Sequence, residues 1–308
     1  MVRGTHDSLE DDRNASILIY VNGLMTSRDE AKISVFDSGY LVGDGVWEGI
    51  RLKEGVFVFL EEHIGRLFEG ARMIFLDIGE TVESLKGKLT ETIEANGMMD
   101  GVHVRLMVTR GNKKTPSQDP RLTVTPPNIV IIPEYKTANP GVRKEGVRLY
   151  TSSNRPGSPH YMDPRLNCHS KLHEVVALSQ AIGAGADEAL MLDINGFVST
   201  CNATNFFIVR NGEVWTSTGK YCMNGVTRGK VLAVSEQGGI PAIQKDFSLV
   251  DVYSADEAFV TGTFGGITPV SEIDGRSVGS GSLPGPITRR LIDLYAQEVA
   301  AYIAKETT

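Results

Sequence analysis

Cysteine is scarce in this chain. Cys168, Cys201 and Cys222 are the only three in 308 residues, an odd number with no CxxC pair and no Cys/His metal spacing. Neither a disulfide framework nor a thiolate metal site is expected, and reduced thiols point to a cytoplasmic protein. Long apolar runs are missing too: none approaches the ~20 residues that cross a bilayer, so no membrane partner is expected. The opening MVRGTHDSLEDDRNAS lacks the apolar segment of a secretory signal and reads as a mobile acidic lead-in over residues 1–15. Positive charge is in deficit, with 31 Lys and Arg against 38 Asp and Glu and a net charge of -7. A nucleic-acid partner would need clustered Lys and Arg, which excludes that class.

What is present is ordinary for a globular chain: 41% apolar and 22% charged residues. The length suits two domains. ILIYVNGLMTS reads as two strands about the Asn22-Gly23 turn, a favoured hairpin pair. EGIRLKEGVFVFLEEHIGRLFEGARMIF repeats strand, turn and strand before a helix near Glu61. TVESLKGKLTETIEANG has helical spacing, a Thr/Glu start and a glycine stop, and HVRLMVTRG and NIVIIPEY read as strands. The Pro- and Gly-bearing KTANPGVRKEG is the linker candidate. The expectation is an α/β (α+β) protein with a small domain over 16–135, a linker over 136–145 and a larger domain over 146–308.

Chemistry-bearing positions concentrate in the larger domain. NGVTRGKVLAVSEQG puts Val226 and Thr227 at a helix entry, where free N–H groups and the positive dipole end suit an anion. A threonine there is also an ordinary cap. FVTGTFGGITPV ends a strand in Thr261-Gly262-Thr263, and Gly265-Gly266 permits close backbone approach. Lys171 heads the apolar-periodic LHEVVALSQAI. Such a lysine either lies solvated on the surface or has its root held in the interior, where a lowered pKa makes it a nucleophile.

The ordered series SVFDSGYLVGDGVWEGIRLKEG, FLEEHIGRL, VTRG, SKL, ADEALMLDINGFV, TNFFIV, NGVTRGKV and ADEAFVTGTFGGITPV resembles the class IV aminotransferases, from about Ile19 to Tyr302. That family holds branched-chain aminotransferases, D-amino acid transaminases, (R)-amine transaminases and aminodeoxychorismate lyase. The resemblance implies the two-domain fold type IV, pyridoxal 5'-phosphate as cofactor, no metal, and a homodimer. It implies that Lys171 forms the Schiff base and later shuttles the proton. Arg66 matches the phosphate-binding arginine, whose fork suits an oxyanion. Val226, Thr227, Thr263 and Phe264 match further cofactor contacts.

Two positions depart from the family pattern. Thr200 stands where the family has the glutamate that pairs with the pyridine nitrogen, and a hydroxyl supplies no such charge. Aligned without gaps, the family lysine falls near Asn167, roughly one helical turn before Lys171. A one-turn step along a helix would keep the face. The implied reaction moves an amino group from an amino acid (branched-chain or D-) or an (R)-amine to a 2-oxo acid. His103 and Arg105 resemble the substrate-carboxylate pair of the branched-chain enzymes. Tyr40 and Trp47 are pocket candidates, although aromatic residues on short elements also fill cores. The alternatives are the lyase branch and a degenerate, non-catalytic cofactor-binding homologue.

Overall fold

The computed structural model describes residues 4–279 and 282–307. The chain divides into two compact units, one formed by residues 10–137, 166–170 and 305–307, the other by 4–9, 138–165 and 171–304.

The smaller unit is a six-stranded antiparallel sheet in the order β2-β1-β6-β5-β3-β4. Its strands are β1 (Leu18–Val21), β2 (Leu24–Ser27), β3 (Gly45–Lys53), β4 (Val56–Phe57), β5 (Val102–Thr109) and β6 (Asn128–Tyr135), with helices α1 (Ser38–Val42), α2 (Leu60–Met73) and α3 (Val82–Ala95). Asn22 and Gly23 both take positive φ, as the tight β1–β2 turn requires. Thr81 caps α3 by accepting the Ser84 N–H. The period-2 alternation of β3 and β5 sends Val46, Glu48, Ile50, Leu52, Val104 and Leu106 to one face. There the apolar ones join Ile64 and Leu67 of α2 and Leu85 and Leu89 of α3 in one core. Glu48 is the charged residue on that buried face, and it organises the candidate site of this unit.

The larger unit carries α4 (Pro140–Glu145), β7 (Val147–Thr151), α5 (Leu172–Gly183), β8 (Glu188–Leu192), β9 (Val198–Cys201), β10 (Asn205–Arg210), β11 (Glu213–Thr216), α6 (Val226–Gln237), β12 (Ala242–Gln244), α7 (Leu249–Tyr253), β13 (Glu257–Gly262), β14 (Gly266–Ile273), β15 (Arg276–Ser277) and α8 (Pro286–Glu306). Its nine-stranded sheet runs β12-β11-β10-β13-β14-β7-β8-β9, with β15 on β14. The pairs β14–β7, β7–β8 and β11–β12 are parallel, the others antiparallel. The NFFIV run of β10 is buried on both faces. Phe206 and Ile208 enter one core with Val260 and Val270, while Phe207 and Val209 enter another with Val231, Val234 and Leu291. A strand covered on both sides needs such a continuous apolar run.

Three expected boundaries differ from this division. Residues 4–9, read as part of a mobile lead-in, lie on the larger unit: Thr5 is buried and donates from both N and Oγ1 to Glu188. Positions 1–3 of that lead-in fall outside the described residues. The expected linker 136–145 contains α4, which Asn139 caps and Pro140 opens. Residues 166–170 cross back to the smaller unit, so 146–308 is not one continuous domain.

Candidate active site

In the larger unit the site is built where β10 and β13 lie side by side, Asn205 opposite Thr261. Gly225 caps α6, and no side-chain hydrogen bond serves that helix start. A β-carbon at Gly225 would overlap Asn205 Oδ1, while Asn205 Nδ2 donates to the Met223 carbonyl at 2.9 Å. Glycine is therefore fixed by close approach, and the helix entry is pinned beside the end of β13. Thr227 follows in the first turn and is buried. Thr263 and Phe264 occupy the turn from β13 to β14, which Gly266 closes at φ 64°. Thr261 Oγ1 is buried without a hydrogen-bond partner. An uncapped helix start, a glycine at contact distance, a positive-φ glycine in the β13–β14 turn and an orphaned buried hydroxyl form a cradle that fits a phosphate group.

Thr200 on β9 donates its hydroxyl to the Thr204 carbonyl at 2.9 Å. Next to it, Thr204 Oγ1 donates to Glu188 Oε2 at 3.0 Å. Burial pushes the Glu188 carboxyl up, opposed by the Thr5 and Thr204 hydrogen bonds, and the net shift is upward. Glu188 is thus occupied by Thr5 and Thr204. Lys171 stands immediately before α5, with its side chain 29% exposed and Nζ 3.4 Å from Glu174 Oε1.

The smaller unit holds the other positions. Arg66 donates from Nε to Glu48 Oε1 and from Nη2 to Glu48 Oε2, both at 2.7 Å. His63 Nδ1 is 2.7 Å from Glu48 Oε2. Burial pushes Glu48 up, but hydrogen bonds from Arg66 and His63 and their charges outweigh it, and its carboxyl sits below the ordinary range. The Arg66 fork, expected on a phosphate, faces a carboxylate in this structure. Asn167 closes the cluster. Its carbonyl accepts the Trp47 N–H at 3.1 Å, and its Nδ2 donates to the Trp47 carbonyl at 2.6 Å and lies 3.5 Å from Glu48 Oε1.

The expected one-turn step from Asn167 to Lys171 is not helical. Cys168 bridges Val46, His169 N donates to the Gly45 carbonyl, and α5 begins only at Leu172. Asn167 and Lys171 accordingly belong to different compact units.

On the opposite face of the β3–β5 sheet the Arg105 guanidinium lies 3.9 Å above the Trp47 ring. Burial lowers the Arg105 pKa against the charges of Glu134 and Glu48. Gly49 pairs with Arg105, and a β-carbon there would sit 3.0 Å from His103. Trp47, His103 and Arg105 thus come together, whereas Tyr40 is strongly exposed on α1. Glu48 and His63 were not picked out from the sequence. Their signal was an acid in the apolar phase of β3 and a His/Arg pair three residues apart on α2. Among the described residues no cluster of three metal-ligating side chains occurs, and no helix is long and apolar enough to cross a membrane.

The family model for amino-transferase class IV matches residues 45–273. A branched-chain-amino-acid aminotransferase-like protein of Arabidopsis thaliana is 37% identical over 94% of this chain and 51% of its own length. This chain therefore spans about half the length of the first curated relatives it matches. A D-alanine aminotransferase of Listeria monocytogenes is 32% identical over 91% of this chain and 96% of its own. Among solved structures, a T.th. branched-chain amino acid aminotransferase complexed with N-(5'-phosphopyridoxyl)-L-glutamate superposes with a TM-score of 0.85. It is 30% identical, covering 93% of this chain and 95% of the other.

Proposed function

Because this chain belongs to the class IV aminotransferases, a family of pyridoxal-phosphate enzymes, we propose that it transfers an amino group from an amino acid or amine to a 2-oxo acid. The observation that carries this reading is the phosphate cradle of Gly225, Thr227, Thr261 and the Thr263–Gly266 turn. When bound, the cofactor supplies the electron sink for proton removal beside the substrate nitrogen. The protein's part is to hold the phosphate, orient the ring and carry the proton. Lys171 Nζ is the group proposed to take up and return that proton. Thr200, its hydroxyl turned to the Thr204 carbonyl, presents lone pairs but no charge to a ring nitrogen.

The 2-oxo acid carboxylate is assigned to Arg105, which lies over the Trp47 ring and is partly dehydrated by burial. A guanidinium so placed gives up little hydration on meeting a carboxylate. Both branched-chain and D-alanine relatives are similar to this chain, so the donor is to be read from a panel. L-Leucine, D-alanine and (R)-1-phenylethylamine, each with pyruvate and 2-oxoglutarate, should yield transfer with at least one pair. Protein that takes up cofactor and transfers with none would overturn the assignment.

The exposed apolar Leu172, Val175 and Val176 of α5 support a homodimer, checked by light scattering. Three free, buried cysteines fit a reducing, cytoplasmic setting.

A further inference from the structure

Arg228 is a cation where helix electrostatics favour an acid. It stands in the first turn of α6, where free N–H groups already form the positive pole of the dipole. It is also 4% exposed. Burial lowers its pKa, as expected for a charge held out of water. Its hydrogen bonds go to neutral acceptors. Nη2 donates to the Ser217 carbonyl at 2.6 Å and to Gln244 Oε1 at 2.8 Å, and Nη1 lies 3.4 Å from Asn224 Oδ1. Nε is buried without a partner. Among the described residues no carboxylate pairs with it, and the acid whose charge would act on it is Cys222. Burial pushes the Cys222 thiol up, so at neutral pH it keeps its proton and offers no charge. A buried cation without a countercharge is costly, and folded proteins ordinarily supply one.

The missing charge has a place to sit within the same unit. Arg228 directly follows Val226 and Thr227, and its root packs at the helix entry: a β-carbon at Gly225 would lie 3.7 Å from the Arg228 Cβ. We infer that Arg228 sets the charge that the phosphate cradle accepts. Without touching the ligand, its guanidinium acts through the first turn of α6 on an anion at the helix entry. The site thereby selects a doubly charged phosphate monoester over a singly charged or neutral group. Guanidinium and helix dipole have the same sign at that point, and their pull on an anion is stronger in a water-poor interior than in solvent. The bonds to Ser217 and Gln244 tie the cation to the ends of β11 and β12. This rests on the cradle reading above and adds the residue that fixes its charge preference.

Equilibrium dialysis of the full chain with pyridoxal 5'-phosphate and with pyridoxal tests it. Both compounds carry the aldehyde, so any bond to that carbon cancels in the ratio of their affinities. Arg228→Gln should weaken the phosphate ester about tenfold, the scale of one partly buried charge at a helix end, and leave pyridoxal unchanged. Arg228→Lys keeps the charge and loses the fork, and it should restore most of the difference. Phosphorus NMR of the bound ester gives a signature that packing alone would not move. In the parent its second ionisation should lie below that of the free ester, and Arg228→Gln should raise it by about one pH unit, the same tenfold. An unchanged affinity ratio in Arg228→Gln, Arg228→Lys no better than Arg228→Gln, or a parent ionisation equal to that of the free ester would overturn the inference and leave the transaminase reading standing. A parent that binds pyridoxal phosphate no more tightly than pyridoxal would instead remove the cradle, and this inference with it. The parent titration decides even where a variant fails to fold.

Discussion

Glu48 is a fully buried carboxylate that satisfies one guanidinium and one imidazole at once. Removing its charge strands Arg66, whose side chain is only 15% exposed, opposite a neutral group. Glu48→Gln should lower unfolding stability by about 3–5 kcal/mol in urea titrations at neutral pH. The pH dependence follows from the direction of its shift. Its folded pKa lies below the unfolded value. The stabilisation is therefore complete above the ordinary carboxylate range and is lost as pH falls through the folded value. Glu48→Gln should flatten that acid limb, and an unchanged limb would assign the acid sensitivity elsewhere. On the other face of the sheet, Arg105→Ala should raise KM for the 2-oxo acid about tenfold or more with a smaller change in kcat, as expected for a lost charged hydrogen bond in binding. Arg66 and Arg105 were legible as individual residues because each sits in a recognisable motif. Their partners were not: joining Glu48 to Arg66 takes the phase of β3 and the inward face of α2 together. That information is tertiary.

Among the elements, α6 shows how a glycine can fix a helix start by close approach alone. Gly225 has an ordinary negative φ, so its need is proximity to Asn205 and not backbone freedom. Gly225→Ala should displace the start of α6 and weaken binding of pyridoxamine phosphate about tenfold or more, while the helix itself persists by circular dichroism. Weakened binding with unchanged affinity for a phosphate-free pyridoxamine would place the defect at the phosphate end. Thr5 makes a parallel case. Its two donors meet a carboxyl that burial has already pushed upward, and Thr5→Ala should cost about 1–3 kcal/mol by thermal or urea unfolding. Most strands could be read from their alternation and turn residues, and NIVIIPEY became β6 unchanged. The two misread segments failed for different reasons. KTANPGVRKEG has the proline and glycine of a linker, but Asn139 before Pro140 is also a helix-opening pair. Residues 166–170 have no periodicity of their own, and their attachment comes from the single bridge of Cys168 to Val46 and hydrogen bonds to β3.

For the molecule as a whole, two compact units with separate cores make ligand linkage the informative measurement. A ligand that binds only folded protein stabilises it by an amount set by its concentration over Kd, about 2.7 kcal/mol at a hundredfold excess. For a unit of this size that raises Tm by roughly 5–10 °C. The larger unit contains the α6 entry and the Thr261–Gly266 strand and turn, so its calorimetric transition should rise by that amount with pyridoxamine phosphate. Inorganic phosphate should raise it less, since it engages the cradle alone. Amide exchange gives the same test at higher resolution. Peptides spanning Gly225–Arg228 and Thr261–Gly266 should gain protection with either ligand. No protection at α6 with either ligand would dissociate the cradle from the cofactor altogether.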